Sequence, residues 1–213
     1  MGISLKKGQG VSLKKTEYDL SKVTIGLGWN INSVKPSLFA GLLGKNLPDY
    51  DLDVAAFLCE SDGKVHNLGR NSDGKATLID SDVIFFNNLC HRSGCLWLTG
   101  DNRTGSGDND DEQIIVKLND LPAQYTKVVF VVQIYQGIKH NQSFASVNNA
   151  FIRALDARGR EMVRFDLSGG AYNDTCRSLL FAELNREPSG WIFNAIGTAS
   201  TSDNFVDWLK QYV

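Results

Sequence analysis

The chain has 213 residues, a formal charge of −2, 42% apolar and 22% charged residues. That length suits one domain, residues 1–213, with a sizeable core, and the near-balance of charge supplies no global field of the kind nucleic acid demands. The longest apolar run, around Val128–Val132, is far too short to cross a bilayer, and the lysine-bearing opening lacks the apolar stretch of a secretory leader, so the expected compartment is the cytoplasm.

In chain order, residues 8–15 and 22–28 read as opening strands, with Val11 and Leu13, then Val23, Ile25 and Leu27, alternating on one face. Gly26-Leu27-Gly28-Trp29-Asn30 breaks that alternation, and with no third glycine or helical pattern behind it, it is a strand end rather than a dinucleotide signature. Pro36 opens a candidate short helix that Gly41 and Gly44 weaken. Residues 50–60 form an apolar strand whose mouth carries Asp51 and Asp53, two carboxylates leaving the same face. Carboxylates at the mouth of a buried strand need a partner, and a cation shared with the middle of the chain is one; an exposed turn is the plainer alternative. Further strands are expected at 81–87, 113–118 and 126–135, then hairpins at 150–155/161–167 and 179–185/191–196, the second joined by Arg186–Gly190. Residues 202–213, with Phe205, Val206, Leu209 and Tyr212 at helical spacing, read as an amphipathic helix covering a sheet. Short strands with turn signals every few residues indicate a mainly β fold, an antiparallel β-sandwich with short helices and a C-terminal amphipathic helix.

Residues 100–112, G-D-N-R-T-G-S-G-D-N-D-D-E, set Asp101, Asp108, Asp110, Asp111 and Glu112 against one cation, Arg103. Two carboxylates about 6 Å apart repel by ~3 kcal/mol at an effective dielectric of about 20, so the loop either splays into water or recruits a cation. Gly105 and Gly107 allow the backbone to curl and turn carbonyls inward, and Asn102 and Thr104 add neutral oxygens. Hard oxygen donors in flexible glycine geometry favour Ca²⁺ over Zn²⁺ and over strictly octahedral Mg²⁺. The stretch is not an EF-hand: with Asp101 first, Arg103 and Gly105 fall where ligands belong.

Cys59, Cys90, Cys95 and Cys176 accompany no secretion signal, so reduced thiols are expected. Cys90-His91-x₃-Cys95 invites zinc, but no second close ligand pair completes a tetrahedron. His66 and His140 show no neighbouring acid or nucleophile pattern and read as surface or loop residues.

Four segments together resemble a known family: I-S-L-K-K-G-Q-G-V-S-L at the start, I-G-L-G-W-N at 25–30, D-L-D-V-A at 51–55, and the acidic glycine loop. N-A-F-I-R at 149–153 and R-F-D-L-S at 164–168 fit as well. The chain is similar throughout to the TerD-type tellurium-resistance and stress-response proteins. The resemblance implies a non-enzymatic, cytoplasmic β-sandwich binding one or two Ca²⁺, working beside other tellurite-resistance proteins and a membrane-embedded partner. It maps the metal ligands onto Asp51, Asp53, Asp101, Asn102, Gly105, Gly107, Asp108, Asp110, Asp111 and Glu112. Asn30 stands where the family usually carries aspartate, and Asn109 where it carries glycine. Two other functions stand as alternatives. Calcium-dependent docking on anionic lipid, at the inner membrane face, needs apolar or basic loops beside an open site. A metal-dependent phosphoesterase needs an acid–base histidine near the acids and a Lys/Arg cluster, neither of which the sequence offers.

Overall fold

The alternating runs fold into two six-stranded sheets stacked face to face. The computed structural model describes residues 2–31, 50–99, 110–167, 172 and 174–213, with the side chains of 30, 31, 148 and 149 excepted. The candidate helix at Pro36 and the loop segment 100–109 lie outside the described residues.

One sheet, A, runs in the order β1 (Ile3–Leu5), β10 (Glu161–Asp166), β9 (Val147–Leu155), β3 (Val23–Ile31), β7 (Glu112–Val116), β6 (Leu96–Leu98). The other, B, runs β2 (Gly10–Lys14), β12 (Gly190–Ser200), β11 (Ser178–Glu187), β8 (Lys127–Ile134), β4 (Leu52–Cys59), β5 (Val83–Ile84). The pairings are antiparallel apart from β1 on β10, which is parallel. Side chains alternate across each strand, so Ile25, Leu27, Ile114, Val116 and Ile152 of sheet A meet Leu52, Val54, Leu58, Phe130 and Val132 of sheet B in one core. Each such side chain contributes ~1.5–3 kcal/mol on burial.

A second apolar layer covers the outer face of sheet B. Phe57, Val129 and Val131 pack there against Val65 and against Phe205, Trp208 and Leu209 of the short helix α1 (Phe205–Leu209). Strands β4 and β8 are therefore buried on both faces, which is why they read as continuous apolar runs. Asn204 caps α1 by accepting the Val206 N–H at 3.0 Å. The helix is shorter than its sequence pattern because the Tyr212 carbonyl turns to the Val65 N–H at 2.6 Å and its ring packs 5.9 Å from Phe57.

Two further expectations are revised. Residues 81–87 yield only the two-residue β5, since Asn88 folds back and donates from Nδ2 to the Val83 carbonyl at 2.7 Å. The 186–190 connection tightens to a two-residue loop, with Glu187 paired to Gly190.

Candidate functional site

Where β7 begins, Asp110, Asp111 and Glu112 send three consecutive carboxylates in three directions. Asp110 lies flat on the outer face of β3, over Gly26, where a β-carbon would overlap its carboxylate. Arg153 of β9 donates from Nε to its Oδ1 at 2.8 Å, and Gln113 donates to Oδ2 at 3.4 Å. Its side chain is 1% exposed. The first glycine of the Gly-Leu-Gly-Trp segment is thus the floor for a buried ion pair, and the second, Gly28, faces the Phe151 ring. Both serve close approach rather than a phosphate.

Asp111 closes onto the end of β3. The register of β3 against β9 slips there between Gly28 and Asn30, so that Trp29 alone stands opposite two residues of β9, Asn149 and Ala150, in a bulge. The Trp29 N–H is accepted by Asp111 Oδ2 at 3.0 Å, while the Asp111 N–H returns to the Leu27 carbonyl at 2.8 Å. Glu112 points between the sheets. Its Oε2 accepts the Val54 N–H of β4 at 2.7 Å, tying sheet A to sheet B.

Asp51 and Asp53 belong to the same end of the sandwich. The Asp51 carbonyl accepts the Tyr135 N–H at 2.8 Å. Asp53 shares the face of Ala55 and Phe57, beneath α1, and its Oδ2 accepts from Gln133 Nε2 at 3.2 Å. Gln133 in turn accepts the Phe205 N–H. Asp53 and Asp110 therefore leave opposite outer faces of the sandwich. Among the described residues no three His, Cys, Asp or Glu side chains converge; Asp101, Asn102, Gly105, Gly107 and Asp108 lie outside them.

Burial pushes the Asp111 carboxyl upward, the charge of Asp110 adds to the rise, and the Trp29 N–H offsets part of it. Beside it, at the ends of β5 and β8, apolar groups stand in solvent: Phe86 is 39%, Tyr135 43% and Ile138 60% exposed. The Phe86 and Tyr135 rings lie 6.4 Å apart, and Lys139 is exposed next to Ile138.

A different cluster, absent from the sequence reading, sits at the opposite end of β4. His91, treated there as part of a Cys-His-x₃-Cys motif, is buried. Its Nε2 faces Asp82 Oδ1 at 3.1 Å, and its Nδ1 faces Ser93 Oγ at 2.7 Å. Tyr125 donates its hydroxyl to the same Asp82 oxygen at 2.9 Å, and the Arg92 guanidinium stands 3.5 Å from it. The Asn67 N–H adds a bond to Asp82 Oδ2 at 3.3 Å. Burial raises the Asp82 carboxyl, but the His91 and Tyr125 hydrogen bonds and the charges of Arg92 and His91 outweigh it, leaving the group below its ordinary value. Asp82 and Tyr125 are 9 and 34 residues from His91, so short-range spacing carried no signal of the cluster. The cysteines are free thiols: Cys90 is exposed, Cys95 buried with Sγ 3.4 Å from the Asp120 carbonyl oxygen. His66 is exposed, as expected, but pairs with Asp62 at 2.9 Å.

Residues 1–212 match the TerD domain family. The chain is 62% identical over 213 residues to the tellurium resistance protein TerX of Serratia marcescens, covering the whole of both chains. It is 40% identical to the tellurium resistance protein TerD of the same organism, over 92% of this chain and 90% of that one. It is 37% identical to the stress response protein SCP2 of Bacillus subtilis, again over both full lengths. The crystal structure of a telluride-resistance (TerD) homologue from Streptomyces coelicolor shares the fold, with a TM-score of 0.60 at 19% identity over 91% of this chain and 98% of that one.

Proposed function

This chain belongs to the TerD domain family of tellurium-resistance and stress-response proteins, and on that premise we propose that it is a calcium-binding module rather than an enzyme. The supporting observation is the acidic base of the loop. Three successive carboxylates are fixed by three different strands, Asp110 by Arg153, Asp111 by the Trp29 amide and Glu112 by the Val54 amide, and burial, with its neighbour's charge adding, pushes the middle one toward protonation. The sequence just before it adds Asp101 and Asp108, and the donors are all oxygens, which suits a hard cation.

In this reading Asp101, Asn102 and Asp108, with the carbonyls of Gly105 and Gly107, complete a ligand set begun by Asp111 and Glu112. Asp110 anchors the loop through Arg153, and Asp51 and Asp53 brace the facing end of β4. Bound calcium supplies compensating charge. Stabilisation by a ligand that binds only the folded state follows RT ln(1 + [Ca²⁺]/Kd), about 2.7 kcal/mol at a hundredfold excess over Kd. For a chain of this size that corresponds to a rise in Tm of roughly 5–10 °C. Isothermal titration with Ca²⁺ against Mg²⁺, with melting in calcium and in chelator, tests this: Asp108→Ala removes most of the rise. Equal melting in both buffers refutes the reading.

A second reading is favoured by the exposed Phe86, Tyr135 and Ile138 beside the acidic end. Phe86 and Tyr135 rim a cavity of about 240 Å³ lined also by Gln133, Asp203 and Phe205, and Lys139, next to Ile138, adds positive charge. An apolar tip with a cation next to a calcium site suits docking on anionic lipid at the inner membrane face. Sedimentation with phosphatidylserine vesicles should then require calcium and be lost in Ile138→Asp. The partners proposed for the module are other tellurite-resistance proteins, including a membrane-embedded one, and its proposed compartment is the cytoplasm.

A further inference from the structure

We propose that Ser93 is a nucleophile, set by His91 and Asp82, that accepts an acyl group from an activated donor such as a thioester. The Ser93 N–H reaches His91 Nδ1 at 3.2 Å, so that nitrogen carries the lone pair and the ring proton sits on Nε2, facing Asp82. The Ser93 hydroxyl therefore donates to Nδ1, and the imidazolium formed on proton transfer is met by a carboxylate already held ionised by Tyr125, Asn67 and Arg92. The Cys95 N–H, 3.2 Å from Ser93 Oγ, stabilises negative charge growing on that oxygen. A network serving the fold alone has no need of an open end, yet Ser93 is exposed while both groups behind it are buried.

The same geometry selects the donor. The Gly94 N–H goes to the His91 carbonyl and the Cys95 N–H to Oγ itself, so the two amides that follow the serine do not face a carbonyl oxygen of a bound acyl group. With that stabilisation missing, the leaving group must depart readily, which suits a thioester and not an amide. In the step, the Ser93 Oγ–carbon bond forms and the carbon–sulfur bond breaks. The hydroxyl proton passes to His91 Nδ1 and on to the departing thiolate, leaving an ester on Ser93 and a free thiol. The product is a stoichiometric adduct, separate from the acidic loop and independent of metal.

The test treats the full chain, in chelator, with a fluorophosphonate probe (fluoride leaves as the serine–phosphorus bond forms) and with a small acetyl thioester, then maps adducts by peptide mass spectrometry. Ser72 and Ser189, both exposed, are controls within the same molecule. The expected result is modification at Ser93 at least tenfold faster than at either control, falling as the solution is acidified, and at least tenfold slower in Asp82→Asn. Modification of Ser93 at the rate of Ser72 and Ser189 in the folded wild-type chain overturns the proposal, whether or not the Asp82 variant folds. Because calcium is absent throughout, failure here leaves the metal reading standing.

Discussion

Asp82 and Asp111 are both buried aspartates in the same sandwich, and their surroundings treat them in opposite ways. Around Asp82 the fold assembles an imidazole, a phenol, a guanidinium and a backbone amide, and the carboxyl is held below its ordinary value. At Asp111 the Trp29 amide donates to the carboxylate, Asp110 stands as a second carboxylate nearby, and burial, with the Asp110 charge adding to it, raises the carboxyl. A buried charge costs several kcal/mol unless it is paired and hydrogen-bonded. The first site is complete from the protein's own groups. At the second, burial outweighs the amide bond and the carboxyl is pushed toward its neutral form.

The strongest way to break this comparison is Asp82→Ala. It strands His91 and Tyr125 in the interior, and urea unfolding should show a loss of ~3–5 kcal/mol. The acid limb of stability carries the same signature. A carboxyl whose folded pKa is depressed stabilises the native state above its ordinary value, and that contribution is lost as pH falls through the lower, folded value. Asp82→Asn should flatten the fall in unfolding free energy over that acidic range; an unchanged pH profile would remove Asp82 from the account. Next in size is Gly26→Ala, which puts a methyl group where the Asp110 carboxylate lies and should cost ~1–3 kcal/mol by thermal melting, with Arg153 displaced alongside. The smallest effect is expected at Asp111→Asn. The amide oxygen still accepts the Trp29 N–H and the repulsion with Asp110 is gone, so stability in chelator should change by less than ~1 kcal/mol. The same variant should lose much of the gain that calcium gives the wild-type chain. A large loss in chelator would mean that Asp111 is simply a structural carboxylate like Asp82.

Much of the sandwich was legible because the period of two is a local property. Val23, Ile25 and Leu27, or Ile114 and Val116, declare a buried face without reference to what covers it. The double burial of β4 and β8 was legible as an unbroken apolar run. Less legible was the end of the chain, where Tyr212 leaves the helical pattern to meet Val65, a residue 147 positions away. The acidic loop stood out by composition, but not the directions its last three carboxylates take. Asp110 is turned onto Gly26 and Arg153, Asp111 onto the bulge at Trp29, Glu112 across to the other sheet.

The sequence by itself determined the β class, the family and the crowding of negative charge, since each is written in alternation, composition or contiguous motif. Tertiary structure alone decided which groups each of these carboxylates meets. It gathers Asp82, His91 and Tyr125 at one end of β4 and sends Asp53 and Asp110 to opposite outer faces. The reason is physical: alternation says which side chains share a face of one strand, whereas the partner across that face is set by strand order and register, and those are fixed only when both sheets close on a common core.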